Sequence, residues 1–191
     1  MKKLAGILCL SALATGAFAQ GLVIFNNSAT TLVTSGAPGN TASISGAAGS
    51  FYFGLLTSAS GAANTFTFAG NYATNSGVAA GRFLGGTQIV NGWAAGTSQF
   101  YEVAGWSASL GPTWTPGWLA GNFGGKSGFF GISGSASGVS GGGNPPAPTL
   151  PLFGGTGIAS GFNLAPTVPE PSSMALAGLG AAALLIFRRR K

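Results

Sequence analysis

The chain has 191 residues, among them 35 Gly, 10 Pro, one Cys and no His, and its acidic residues are Glu102 and Glu170 alone. That inventory excludes His-dependent triads, paired-carboxylate hydrolases and His/Cys metal centres, so no catalytic residue, metal ligand or cofactor is expected and the chain reads as a non-enzyme. The formal net charge of +6 sits at the two ends; between Gln20 and Val168 only Arg82, Glu102 and Lys126 are charged, too few for a nucleic-acid face.

Residues 1–19 have the three parts of a secretory signal peptide. Lys2 and Lys3 precede the apolar run Leu4–Ala14, and Ala17-Phe18-Ala19 supplies small residues at −3 and −1 of a cut before Gln20. Signal peptidase is the partner expected there. Cys9 lies inside the apolar run behind a bulky Leu8, which does not suit a lipidation site, and cleavage leaves a mature chain without thiols.

From Gln20 onward, strand signals dominate. Short β candidates fall at Leu22–Phe25, Thr30–Thr34, Ser50–Leu56, Thr65–Phe68, Gln88–Val90, Gln99–Val103 and Gly128–Ser133. In Ser50–Leu56, alternation puts Phe51, Phe53 and Leu55 on one face and Tyr52 and Leu56 on the other. Gly, Asn and Ser clusters at Ser35–Asn40, Ala59–Asn64 and Asn75–Gly77 mark the turns between them. No stretch of the body has a 3.6-residue period. The expected fold is therefore all-β, an antiparallel β-sandwich of immunoglobulin-like or jelly-roll-like type, over residues 20–167.

The four tryptophans fall between Trp93 and Trp118, and Thr113–Trp118 places Pro-Gly turn chemistry between Trp114 and Trp118. Core packing is the first expectation for such rings. Exposed on a loop, Trp114 and Trp118 would instead stack on sugar faces, which makes a carbohydrate-binding module or adhesin the alternative role. Ala120–Ser127 satisfies a relaxed phosphate-loop pattern but is followed by Gly-Phe-Phe-Gly-Ile, a strand and not a helix, so it reads as a turn carrying Lys126. A Ser–Lys nucleophile would have to use Lys126, and nothing places a serine beside it. Residues 138–151, rich in Gly and Pro, form a loop or linker before a last strand near Phe162–Leu164. Leu152, Phe153, Ile158 and Phe162 there call for burial.

Residues 168–191 read Val168-Pro169-Glu170-Pro171-Ser172-Ser173, then the apolar stretch 174–187, then Arg188-Arg189-Arg190-Lys191. The apolar stretch is a short transmembrane helix candidate, and the four cations are a cytoplasmic stop that leaves the body outside. The tripartite order resembles the PEP-CTERM sorting signal of Gram-negative bacteria. The resemblance implies that Pro169, Glu170 and Pro171 are recognised by an exosortase, a membrane enzyme resembling cysteine transpeptidases. It also implies cargo passed to the cell surface or the exopolysaccharide matrix, with extracellular polysaccharide as a partner and the membrane holding the precursor. Two prolines stiffen the backbone around Glu170 in an extended form, which presents its charge. The body resembles a β-rich group of such cargo through Phe25-Asn26-Asn27, Tyr101-Glu102 and Gly142–Pro148, a group without an established activity. A structural or interaction role follows as the expected function.

Overall fold

The computed structural model describes residues 20–143 and 145–167, together with Gly180. The expected signal peptide, the Pro-Glu-Pro motif and the basic tail lie outside the described residues, as does the apolar stretch 174–187 expected to be a transmembrane helix, apart from Gly180. Among the described residues no helix is long and apolar enough to cross a membrane.

Eleven strands follow in chain order: β1 Gln20–Asn26, β2 Thr34–Ala37, β3 Asn40–Ser43, β4 Phe51–Ser58, β5 Thr67–Asn75, β6 Phe83–Ala94, β7 Ser98–Ser107, β8 Gly128–Ile132, β9 Ala136–Val139, β10 Leu150–Pro151 and β11 Asn163–Thr167. Two short 3-10 turns, Ala108–Leu110 and Pro116–Ala120, interrupt the β7–β8 connection. The strands form one sheet in the order β10-β1-β6-β5-β4-β7-β8-β11-β2-β3, with β9 added on β7.

The all-β expectation holds, but the sheet is mixed and not antiparallel throughout. β1 pairs β10 in parallel (Val23↔Leu150), and β11 pairs β2 in parallel (Asn163↔Thr34). Parallel partners need long connections, and the chain provides them by bringing its last strands back beside its first. The sheet also curls as a single layer. Its curl is drawn shut where Leu22 and Gly141 exchange backbone hydrogen bonds of 3.0 and 2.9 Å, tying β1 to the residues that follow β9.

The curl encloses the main core. Val23, Phe25, Phe53, Leu55, Phe83, Trp93, Tyr101, Val103, Leu152 and Leu164 are buried there. Each large side chain so buried contributes roughly 1.5–3 kcal/mol by removal from water. Phe53 stacks on Phe83 at 4.3 Å and meets Phe162 edge-on at 6.4 Å. The alternation read in Ser50–Leu56 is present: Phe51, Phe53 and Leu55 face this core, while Leu56 and Tyr52 join a second cluster on the convex face. That cluster centres on Trp106 and is covered by the segment 108–127. Gly105 lets Leu164 and Phe53 approach the backbone of β7, since a Cβ there would stand 2.8 Å from a Leu164 methyl.

Some strand limits differ from expectation for identifiable reasons. Residues 30–33 turn because Asn27 Nδ2 donates to the Thr31 carbonyl at 2.8 Å and the Ser28 N–H donates to Thr31 Oγ1 at 2.8 Å. Such side-chain bonds compete with a ladder. The turn expected at Ser35–Asn40 shrinks to Pro38-Gly39, with β2 and β3 pairing on either side. β5 starts at Thr67, because the Thr65 hydroxyl donates to the Ala62 carbonyl at 2.6 Å within the preceding loop. The Gly/Pro-rich stretch holds two short strands, β9 and β10, and leads to β11 as expected. Leu152, Phe153, Ile158 and Phe162 are all buried.

Candidate functional site: a forked sheet and its polar cleft

The four tryptophans divide between the two faces of the sheet. Trp93 lies in the enclosed core, 5.9 Å from the Tyr101 ring, and donates its indole N–H to the Thr97 carbonyl at 2.9 Å. Trp106, Trp114 and Trp118 gather on the convex face with Phe68, Phe123 and Phe130. Trp106 donates to the Gly111 carbonyl at 2.9 Å, and the Trp114 backbone N–H donates to the Tyr72 hydroxyl at 3.0 Å. These bonds lay the 108–127 segment over β4, β7 and β8.

Trp114 and Trp118 do stand side by side, with ring centroids 5.8 Å apart. Trp118, however, is only 4% exposed. It is wedged between Trp106 at 5.4 Å, Phe130 at 6.2 Å and Phe123 at 6.5 Å. No open ring face is left for a sugar, so Trp118 is a packing residue, as first expected, and the alternative of a paired Trp114–Trp118 platform finds no support in this geometry. Pro116 opens the second 3-10 turn, in which Trp118 is the buried residue. Trp114 is half-buried, stacked against Phe68 at 5.9 Å.

The charged side chains between Gln20 and Val168 are Arg82, Glu102 and Lys126. Lys126 is exposed and donates to the Leu110 carbonyl at 2.8 Å, closing the turn that sequence assigned to it. Glu102 pairs across the sheet with Leu56, and burial pushes its carboxyl above the usual range. Among the described residues, no three His, Cys, Asp or Glu side chains come together. Gln20 opens β1 and is exposed.

The site that sequence reasoning missed is a cleft at one mouth of the curl. β5 and β6 pair only at Thr74↔Leu84 and Asn75↔Phe83, and then part. Bulges cause the parting. In β6, Asn26 Oδ1 accepts the N–H groups of both Gly85 and Gly86 at 2.8 Å, and Gly86 adopts φ +70°. In β5, Gly70 adopts φ +87°. Beyond that point β6 continues along β1 alone, and β5 along β4.

Side chains span the fork. Asn71 Nδ2 donates to Gln88 Oε1 and to the Ile89 carbonyl, both at 2.8 Å, and Gln88 Nε2 donates to the Tyr72 carbonyl at 2.8 Å. Past this bridge the walls enclose about 450 Å³, lined chiefly by Thr57, Thr67, Phe68, Asn91 and Gln99, with the Ser58–Thr65 loop at the rim. Gln99 Nε2 donates to the Gly92 carbonyl at 3.1 Å and holds β7 to β6 at the outer end. Thr57, Thr67 and Gln99 share the concave face with Tyr101, the cross-strand partner of Thr57. On the strands that frame the cleft, though not among the residues lining it, the Tyr101 hydroxyl and Asn71 Oδ1 are buried without a hydrogen-bond partner among the described residues. Burial pushes the Tyr101 phenol up to about 12. The sequence signals nearest to this site are Gly70 and Gly85-Gly86, glycines inside strand patterns.

Comparison with known families finds the PEP-CTERM protein-sorting motif at residues 167–191. It begins on Thr167, the last residue of β11, whose hydroxyl accepts the Gly128 N–H at 2.8 Å. The motif implies an exported, membrane-processed protein sorted by an exosortase. No curated protein and no solved structure matches the chain.

Proposed function

We propose that this is a cell-surface or exopolysaccharide-matrix protein with a structural or interaction role and no catalytic one. Signal peptidase removes residues 1–19, exosortase acts at Pro169-Glu170-Pro171, and Arg188–Lys191 hold the precursor's tail in the cytoplasm until then. The observation that carries the reading is the sorting motif, joined directly to a β-rich body by Thr167. The body supports it through its composition: Arg82, Glu102 and Lys126 are its charged residues. A surface hydrated by Ser, Thr, Asn and Gly suits association better than repulsion.

The test is intact mass and localisation of the endogenous protein, wild type against Glu170→Ala. The expected wild-type species starts at Gln20, lacks Arg188–Lys191 and is found outside the cell, whereas Glu170→Ala accumulates uncut in the membrane. An uncut wild-type protein held in the membrane, or a Glu170→Ala variant processed normally, would overturn the reading.

A further inference from the structure

We infer that the cleft at the fork of β5 and β6 binds an uncharged polysaccharide. Its volume of about 450 Å³ falls within the range of roughly 300–1,000 Å³ usual for small-molecule sites, and barrel mouths are a common place for them. Its chemistry narrows the class of occupant. No ionisable side chain lines it, so a charged ligand would give up hydration without gaining a counter-charge. A wholly apolar ligand would strand the amides of Asn91 and Gln99 and the hydroxyls of Thr57 and Thr67 away from water.

A neutral polyol meets neither penalty. Each lining hydroxyl and carboxamide both donates and accepts, as each sugar hydroxyl does. Ala69 adds an apolar patch to the same wall, while the Phe68 ring packs against Trp114 on the convex face. The fork is fixed on two sides, by Asn71 and Gln88 within and by Gln99 on Gly92 without, so the cleft is formed before anything enters it. This site is separate from the Trp114–Trp118 cluster on the convex face. The inference deepens the proposed interaction role by naming a partner class. Binding is read on purified protein and destination on cells, so either can fail alone.

The experiment is native affinity electrophoresis of the full chain in neutral detergent, in gels cast with dextran, mannan or xylan. At least one of the three is expected to retard the protein, with retardation unchanged by added salt. Asn91→Ala and Gln99→Ala should each weaken it by roughly three- to tenfold, the loss of a hydrogen bond. Asn91 is exposed, and its variant should unfold at the wild-type temperature. Thr67→Val, which keeps side-chain shape, serves as a second variant with the same expected loss. Leu119→Ala, on the exposed second 3-10 turn, should bind as wild type. Failure of all three polysaccharides, or retardation indifferent to both Asn91→Ala and Thr67→Val, would overturn the inference. So would binding of an alternating Val-Thr peptide, lost in those variants, without any polysaccharide retardation; the cleft would then be a strand-addition site.

Discussion

Asn27 is the residue whose removal should cost most for its size. It is 2% exposed and makes three short bonds that tie the β1 end to the turn at Thr31 and to the distant segment 81–83. Its Nδ2 donates to the carbonyls of Thr31 at 2.8 Å and Gly81 at 2.7 Å, and its Oδ1 accepts the Phe83 N–H at 2.8 Å. Asn27→Ala leaves the Phe83 N–H and the Thr31 carbonyl without this partner in a buried site, while the Gly81 carbonyl keeps the Val33 N–H at 2.9 Å. At roughly 1–3 kcal/mol for each of the two groups left unsatisfied, with some relief from water entering the space, the loss should be about 2–4 kcal/mol. That is a large share of the roughly 5–15 kcal/mol typical of a whole domain. Asn27→Asp keeps the shape and the acceptor for Phe83, but ionised it faces two carbonyls with no proton to give. Its carboxyl should therefore titrate above the usual range, so that its stability is greatest below the ordinary carboxylate value and falls as pH rises through the raised one. Denaturant unfolding followed by tryptophan fluorescence at acid and neutral pH reads both effects. Asn26→Ala is the control, because Asn26 Oδ1 serves the exposed Gly86 and the less exposed Gly85, and about 1 kcal/mol is expected. An Asn27→Ala loss under 1 kcal/mol, or an Asn27→Asp variant indifferent to pH, would refute the reasoning.

Trp118→Ala should cost about 3–5 kcal/mol by opening a cavity in the convex cluster, while Leu119→Ala, at 43% exposure, should stay within about 0.5 kcal/mol; thermal unfolding of the pair checks it. The Tyr101 phenol should ionise near pH 12 in the folded protein and near pH 10 in the unfolded chain. Because the folded value is the raised one, the stability is intact below about pH 10 and declines by about 2–3 kcal/mol as pH rises to 12, as alkaline unfolding would show. Tyr101→Phe should remove that decline and cost nothing at neutral pH, since its hydroxyl has no partner to lose.

Local physics made the strands legible. The Phe51–Leu56 alternation foretold which side chains enter the curl, and the apolar residues Leu152 to Phe162 foretold a buried return after the Gly/Pro stretch. Pairing over long range was not legible, because nothing near Asn163 or Thr34 encodes their parallel register. Core packing is the first expectation for Trp118, but sequence alone leaves sugar stacking open for a related reason. A Pro-Gly turn sets the backbone path but not which way the turn faces, and the burial comes from Trp106, Phe123 and Phe130. The cleft was invisible because Thr57, Thr67, Asn91 and Gln99 are ordinary strand and turn residues. Bulges at Gly70 and Gly85-Gly86 bring them together around an opening.

The bridge between Leu22 and Gly141, with the β1–β10 and β2–β11 pairs, makes the first strands depend on the last. Residues more than a hundred positions apart must meet before the concave core is sealed. Such non-local pairing is slow, since the entropy of closing the loop is lost before the contacts repay it. An emerging chain therefore has no complete sheet to lock into until β11 has been made. This delay suits a polypeptide that must be threaded through a narrow conduit as an unfolded strand. It also means that the segment completing the sheet adjoins the tag that directs sorting, so assembly and delivery are set by neighbouring residues.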